Sequence, residues 1–342
     1  MCSRALAAAG ISIVACAVVS LGAQSASGTK AYSPPKTAWG DPDLQGIWPS
    51  TAMVGVPFER PTQFGNRLYL TDEEFRQRQK DAEKQATLDN ESFSVDNVKA
   101  EIVAMGDVGG QTSPPPFWLE RGEPSRQSSL VVDPPDGRLP PMTPEGQRRV
   151  AATKNTYLQY TGFDSASELG PYDRCISRGV LGSMFPVVYN NGNQFIQSPG
   201  YVVLRNEMIH ETRVIPLDDV SRRPALSPKL RSYMGDSRGH FEGNTLVVRT
   251  TNFNGTTGAT ANGNLMIMSD ALELVEKFTR TGPDTMQYEV TVNDPKTWTK
   301  SWAASFPLRR DPAYRIFEYA CHEGNHAMSN ILSGSRADEA TK

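Results

Sequence analysis

Apolar and polar residues alternate along the second half of the chain, and this alternation restricts the folds that the chain can adopt. From Tyr288 to Asn293 every second residue is apolar, and the same period runs from Trp302 to Leu308. Successive side chains of a strand point to opposite faces, so a period of two predicts strands with one buried face and one wet face. Such strands must pair with neighbours and cover a shared core.

Short turns separate the segments with strand character. The predicted strands are Gln194–Gln197, Tyr201–Glu207, Met208–Leu217, His240–Glu242, Thr245–Thr251, Leu272–Arg280, Thr285–Asn293, Trp302–Leu308 and Tyr314–Ala320. Short connections join antiparallel neighbours. We therefore predict a mainly β domain over residues 161–342, an antiparallel up-and-down barrel of lipocalin-like outline with a short C-terminal helix. A β-sandwich is the alternative. A barrel of this size can hold one small ligand.

The first half of the chain is rich in proline. Fifteen of the 25 prolines precede residue 150, and each removes a backbone donor that a helix or sheet would use. We predict an irregular arm over residues 37–160 that wraps the β domain and carries two helices. One helix begins at the Thr71 capping box and runs to about Gln85. The other begins at Thr143-Pro144 and runs to about Thr156.

The N-terminal residues have the composition of an export signal. Residues 5–23 are uncharged, follow Arg4 and are rich in small and apolar side chains, which is the order of a secretory signal peptide. We predict a signal peptide over residues 1–23 and a flexible tether over residues 24–36. A retained membrane anchor is one alternative, and a lipid anchor at Cys16 is another. All three predict a periplasmic or extracellular protein.

Export determines how the cysteines are interpreted. Beyond the leader the chain contains only Cys175 and Cys321. Two cysteines in an oxidising compartment most simply form a disulfide. A reactive or metal-ligating thiol is the alternative.

Charge and motifs exclude several classes of function. The chain has 35 Lys and Arg residues against 38 Asp and Glu residues, and no basic block that would favour nucleic acid or an anionic membrane. We expect membrane contact only through a lipid or signal anchor. Phosphate loops, dinucleotide fingerprints and serine-nucleophile elbows are also missing from the sequence. A small molecule is therefore the predicted partner, and the oligomeric state stays open.

Several strings resemble an uncharacterised family of secreted bacterial proteins. They are Asp43–Trp48 (DLQGIW), residues 131–147 (VVDPPDGRLPPMTPEGQ), Glu207–Arg213 (EMIHETR), Gly235–Gly239 (GDSRG) and Cys321–Asn325 (CHEGN). The resemblance covers about residues 38–337 and implies export, but no particular activity. In that family the last string continues with a tyrosine where this chain has His326, so no metal role for His326 is implied.

His322, Glu323 and His326 form an H-E-x-x-H string, which in a helix would bind zinc. Gly324 disfavours a helix through the string, and Asn325 suits the start of a helix better than its interior. A third ligand is also missing, because no histidine follows His326. A zinc hydrolase that uses His322 and His326 is therefore an alternative, and the leading interpretation needs no metal or other cofactor.

The leading interpretation is an acid–base site in the β domain. We predict that His210 and His322 line one cavity, because imidazole titrates near neutral pH and suits proton transfer. Asp236 or Glu323 would orient the histidines.

Two further residues complete the predicted site. Arg238 would hold an anionic or carbonyl oxygen, and Tyr189 would contact the substrate, although Tyr189–Asn193 is most simply a hairpin turn. The structural alternative is that Asp236, Arg238 and Glu323 form structural ion pairs and that the histidines bond buried backbone groups.

These features predict an exported protein that binds a small, partly apolar organic molecule. If it is an enzyme, we expect a cofactor-independent lyase, isomerase or hydrolase. A non-catalytic ligand-binding or envelope protein is the alternative.

Overall fold

The computed structural model describes residues 32–92, 117–122, 124–154, 162–217 and 226–341. The predicted signal peptide and Cys16 lie outside these residues. No helix within them combines the length and the apolar character needed to cross a membrane.

The described part of the chain is mainly β. Its strands are β1 (Gly46–Ile47), β2 (Val131–Asp133), β3 (Asn193–Ser198), β4 (Tyr201–Asn206), β5 (Thr212–Pro216), β6 (Asp236–Glu242), β7 (Thr245–Thr251), β8 (Gly258–Thr260), β9 (Leu265–Ile267), β10 (Glu273–Gly282), β11 (Thr285–Asn293) and β12 (Trp302–Arg309). The α-helices are α1 (Asp72–Ser92), α2 (Pro144–Ala152), α3 (Gly179–Met184) and α4 (Ala327–Ala340).

Three antiparallel sheets are built from these strands. One has the order β1-β3-β4-β5, the second β2-β12-β11-β10-β7-β6, and the third pairs β8 with β9. The predicted hairpins β6–β7 and β10–β11 are confirmed. The predicted alternation is also confirmed, because Met286, Tyr288, Val290 and Val292 on β11 are completely buried.

The two larger sheets meet across one core. The rings of Phe195 on β3 and Phe278 on β10 lie 5.1 Å apart. The seam between β5 and β6 carries a single bridge, Leu217 with Gly239, and this bridge is parallel. An up-and-down barrel needs antiparallel neighbours throughout, so the described strands do not close into a barrel and the lipocalin-like outline is not confirmed.

The proline-rich arm contributes strands to both large sheets. β1 pairs with β3, and β2 pairs with β12. Next to β1, the ring of the buried Trp48 is contacted by the guanidinium groups of Arg280 and Arg310, at 5.3 and 5.5 Å from its centroid. Cation–π contacts of this kind stabilise a buried tryptophan and fasten the arm to the core.

Both predicted helices of the arm are confirmed with their caps. The Thr71 hydroxyl accepts from the Glu74 amide, and the Glu74 carboxylate accepts from the Thr71 amide. The Thr143 hydroxyl accepts from the Gly146 amide at the start of α2. The helix ends differ from the prediction, since α1 continues to Ser92 and α2 stops at Ala152.

Two predicted strand segments are wrong. Residues 314–320 form no strand, because the Phe317 amide donates to the Glu207 carboxylate instead of to a neighbouring strand. The segment Met208–Leu217 is interrupted by a 3-10 turn at Met208–His210, and only its second part continues as β5.

Candidate functional site

A disulfide joins the last irregular segment of the chain to the loop before α3. Cys175 and Cys321 are bonded, with their Cα atoms 5.6 Å apart and 146 positions between them in sequence. The predicted pairing is confirmed. It holds residues 314–326 beside residues 170–192.

The H-E-x-x-H string does not lie in a helix. Helix α4 begins at Ala327, whose amide donates to the Asn325 side chain, and Gly324 has φ +66°. His322 and His326 are both exposed. Across the described residues, no three His, Cys, Asp or Glu side chains come together as a metal site. The two histidines are therefore not presented on one helix, as the zinc interpretation requires.

The predicted acid–base residues lie on different elements of the structure. His210 lies exposed in the turn before β5 and not on a strand, and Glu323 is exposed near the disulfide. Asp236 and Arg238 lie on β6, where their side chains form an ion pair of 3.4 Å. In the described part of the chain, no hydrogen bond or ion pair joins His210, His322 and Asp236.

A large cleft lies beside the disulfide. Its volume is about 1280 Å³, larger than most small-molecule pockets. We call it the aromatic cleft. Its lining residues are Phe117, Trp118, Leu119, Glu120, Tyr172, Asp173, Cys175, Tyr189, Asn190, Glu207, Tyr314, Arg315, Phe317, Glu318, Tyr319, Ala320, Cys321, Asn325, Ala327 and Ile331. Of the predicted substrate-binding and catalytic residues, the lining includes Tyr189 alone.

The Tyr314 hydroxyl lies between two carboxylates of the aromatic cleft. Its distance to Glu207 Oε2 is 2.6 Å and its distance to Glu120 Oε1 is 2.8 Å. Burial raises the pKa of Tyr314 well above its ordinary value, and the hydrogen bonds to the two carboxylates raise it further. The hydroxyl carries one proton, which it donates to one of the two carboxylates or shares between them in a three-centre hydrogen bond.

Backbone groups hold Glu207 in place. Its side chain is only 1% exposed, and its oxygens accept from the amides of Phe317 at 3.0 Å and Gly192 at 3.2 Å. A Cβ atom on Gly192 would lie 2.7 Å from Glu207 Oε2, so only glycine permits this approach. The Glu207 amide in turn donates to the Gly192 carbonyl.

Glu120 is held by the loop between α3 and β3. Its oxygens accept from the Asn190 amide at 2.7 Å and from the Asn191 side-chain amide at 2.7 Å. Asn191 also bonds the amide and carbonyl of Val187. Residues Tyr189–Asn193 therefore form a loop that the Asn191 side chain holds in place. The predicted hairpin turn is wrong, because no strand lies between α3 and Asn193.

Three more tyrosines line the cleft: Tyr172, Tyr189 and Tyr319. The hydroxyl groups of Tyr172 and Tyr189 both influence the pKa of Tyr319. Burial raises the pKa of Tyr172 and of Tyr319, so both hydroxyls stay protonated at neutral pH. The Arg178 guanidinium lies 5.8 Å behind the Tyr172 ring.

Glu211 is a half-buried acid that bonds the segment before α3 and α3 itself. Its oxygens accept from the Ser177 hydroxyl at 2.5 Å, the Arg178 amide at 3.2 Å and the Ser183 hydroxyl at 3.3 Å. The turn between Glu207 and Glu211 places Ile209 and His210 at φ 59° and 40°, a region that is strained for a β-branched residue.

Glu211 should make stability depend on pH. Burial raises the pKa of its carboxyl group above the ordinary value, although the Ser177 hydroxyl opposes the shift. The folded protein therefore holds this proton more tightly than the unfolded chain. Tighter binding of this proton stabilises the folded protein. The stabilisation is complete below the pKa of a glutamate in the unfolded chain, about 4.3, and it is lost as the pH rises through the pKa of Glu211 in the folded protein.

We expect Glu211→Gln, which mimics the protonated acid, to gain stability relative to wild type as the pH rises from 4 to 8. The gain should be about 1.4 kcal/mol for each unit of the pKa shift. Urea unfolding across this pH range measures it, with Glu289→Gln on the exposed face of β11 as the control. Parallel pH curves for Glu211→Gln and wild type would contradict the assignment.

Sequence reasoning missed the residues that converge in the cleft. Glu207 lies three residues before His210 in one distinctive string, which was the available signal for it. Tyr314 begins the segment that was predicted to be a strand. Glu120 lies in the proline-rich arm and carried no signal.

Comparison of the chain with protein-family models, with curated proteins and with solved structures finds no match.

Proposed function

We propose that this is an exported protein that binds a small, partly apolar organic molecule in the aromatic cleft and performs acid–base chemistry on it. One observation carries this function: a tyrosine hydroxyl lies between two carboxylates on the wall of a cleft large enough for such a molecule. The chemistry is that of a cofactor-independent lyase, isomerase or hydrolase, centred on Tyr314, Glu120 and Glu207 in place of the histidines.

The lining of the cleft supports binding. Trp118 and Phe317 are 58% and 68% exposed, and large apolar side chains exposed together are typical of interaction sites. A small number of fixed polar groups among apolar walls is the usual composition of a ligand pocket. The disulfide supports export, because such bonds persist in oxidising compartments. For the β core we propose a sandwich-like arrangement of the two large sheets, which leaves the cleft outside the core.

Proton transfer is supported by the arrangement of the three oxygens. A phenol that bridges two carboxyl groups can pass a proton between them, and a positioned acid or base accelerates a reaction by about 10²–10⁴-fold. The backbone amides that hold Glu207 and Glu120 keep both carboxyl groups in position, as a general acid or base requires. Binding without catalysis is the second candidate, and the aromatic lining alone favours it.

Native mass spectrometry of the purified protein should detect a co-purified small molecule. Nile red, a neutral apolar dye, should bind with increased fluorescence, and the molecule should displace it. Trp118→Ala should weaken both interactions, because it removes exposed apolar surface from the cleft. Wild type that retains no molecule and does not bind Nile red would contradict the binding function.

Acid–base chemistry is tested by hydrogen exchange into the bound molecule. In deuterated water, wild type should introduce deuterium at a carbon of that molecule. Tyr314→Phe and Glu207→Gln should slow the exchange by at least about 100-fold. Tyr201→Phe on β4, outside the cleft, is the matched control and should exchange like wild type. Binding with neither exchange into the molecule nor hydrolysis of it in wild type would establish the non-catalytic alternative.

A further inference from the structure

The charges that line the aromatic cleft are strongly unequal. Four carboxylate side chains line it: Glu120, Asp173, Glu207 and Glu318. Arg315 is the single basic side chain among the described residues that line it. The described lining therefore carries an excess of acidic groups.

The two nearby guanidinium groups both bond other protein groups. Arg315 donates through Nη1 to the carbonyl oxygens of Pro312 at 2.7 Å and Tyr314 at 3.0 Å, so this end of its guanidinium group is held by its own backbone. Arg178 lies buried behind Tyr172, where it donates to the Asn262 side chain at 2.6 Å. Arg178 is therefore not presented to an anionic ligand, and Arg315 remains the one described guanidinium group in the lining, against four carboxylates.

Aromatic rings form the other half of the lining. Their members are Phe117, Trp118, Tyr172, Tyr189, Tyr314, Phe317 and Tyr319. The face of an aromatic ring is electronegative and attracts cations. An organic ammonium group is attracted both by the carboxylates and by the faces of the aromatic rings. An anion is repelled by both.

We infer that the aromatic cleft selects a small organic cation, an amine or quaternary ammonium compound with an apolar portion. The ammonium group faces the carboxylates of Glu120 and Glu318, which are more exposed than the buried Glu207. The apolar portion packs on Trp118 and Phe317. This inference rests on the binding function proposed above, and it adds that the ligand is positively charged.

Three probes with one carbon skeleton separate charge from apolar contact. They are 4-phenylbutylammonium, 4-phenylbutan-1-ol and 4-phenylbutanoate, measured by calorimetric titration of the full-length protein. We expect the cation to bind at least about tenfold more tightly than the alcohol, and the carboxylate to bind most weakly. Added salt should weaken binding of the cation and leave that of the alcohol unchanged, because salt screens only the charged interaction.

Glu318→Gln provides the variant test, because this exposed side chain can be changed without altering the fold. The affinity for the cation should fall about twofold to fivefold, the range of a solvent-exposed ion pair, while the affinity for the alcohol stays the same. Glu289→Gln removes the same charge from the exposed face of β11 and should change neither affinity.

Equal affinity for the cation and the alcohol, or tighter binding of the carboxylate, would overturn the cationic ligand class and leave the cleft as a binding site. Failure of all three probes in a protein that binds Nile red would overturn it as well. Failure of the probes and of Nile red together would overturn the binding function.

Discussion

Removal of the Cys175–Cys321 disulfide should lower the free energy of unfolding by about 4 kcal/mol. The bond closes a loop with a sequence separation of 146 residues, and in the chain-entropy model a loop of this order restricts the unfolded chain by about 4–5 kcal/mol. Urea unfolding of the Cys175→Ser/Cys321→Ser variant, followed by fluorescence, measures the loss.

Reduced wild type is the matched control, because it breaks the same bond without a substitution. It should unfold at the same urea concentration as the double variant. Both forms should also lose Nile red binding, since the bond holds residues 314–321 against the opposite wall of the cleft. A loss of less than about 1 kcal/mol would show that other contacts hold the two segments together.

Arg213→Ala should destabilise the protein by about 3–5 kcal/mol, because it leaves a buried charge without a partner. Arg213 Nη1 and Nη2 donate to the two oxygens of Glu276 at 2.6 and 2.9 Å, and the Tyr288 hydroxyl donates to Glu276 at 3.1 Å. Burial opposes the charge on Arg213, yet the neighbouring Glu276 raises the pKa of the guanidinium. Thermal and urea unfolding measure the cost.

A second ion pair, which joins two neighbouring strands of the six-stranded sheet, provides the control. Arg249 and Glu273 form an equally short ion pair of 2.6 Å, but Arg249 is 61% exposed. Arg249→Ala should therefore cost no more than about 1 kcal/mol. Replacement of the buried group by apolar residues, as Arg213→Met, Glu276→Leu and Tyr288→Phe together, should recover most of the loss, because desolvation of the charges is then avoided. Equal costs for the two single arginine variants would contradict this account.

Elements whose signals are local could be predicted from the sequence. The β10–β11 and β6–β7 hairpins follow from alternation and glycine-containing turns, and the helix starts at Thr71 and Thr143 follow from capping side chains. Residues 314–320 have the composition of a strand, yet they form none. The Phe317 amide donates to the Glu207 carboxylate, which competes with strand pairing. Strand propensity does not account for such a distant side chain.

Candidate site residues were harder to predict than strands. The sequence analysis places His210 and His322 in one cavity because imidazole suits proton transfer, but both residues lie exposed. Asp236 and Arg238 do meet, as the structural alternative predicted, and they form an ion pair along one strand. Tyr189 lines the cleft because the Asn191 side chain braces its loop.

The sequence by itself determined the antiparallel β class, the principal hairpins, the helix caps and the two cysteines that pair. Alternation, turn residues and caps act between neighbours in the chain, so their consequences can be worked out from a few adjacent residues. Only the tertiary structure decided that Tyr314 meets Glu207 and Glu120, which lie 107 and 194 positions away. Contacts across such separations arise from packing of the arm, the loop before β3 and the disulfide-bound segment, and they leave no periodic trace in the sequence.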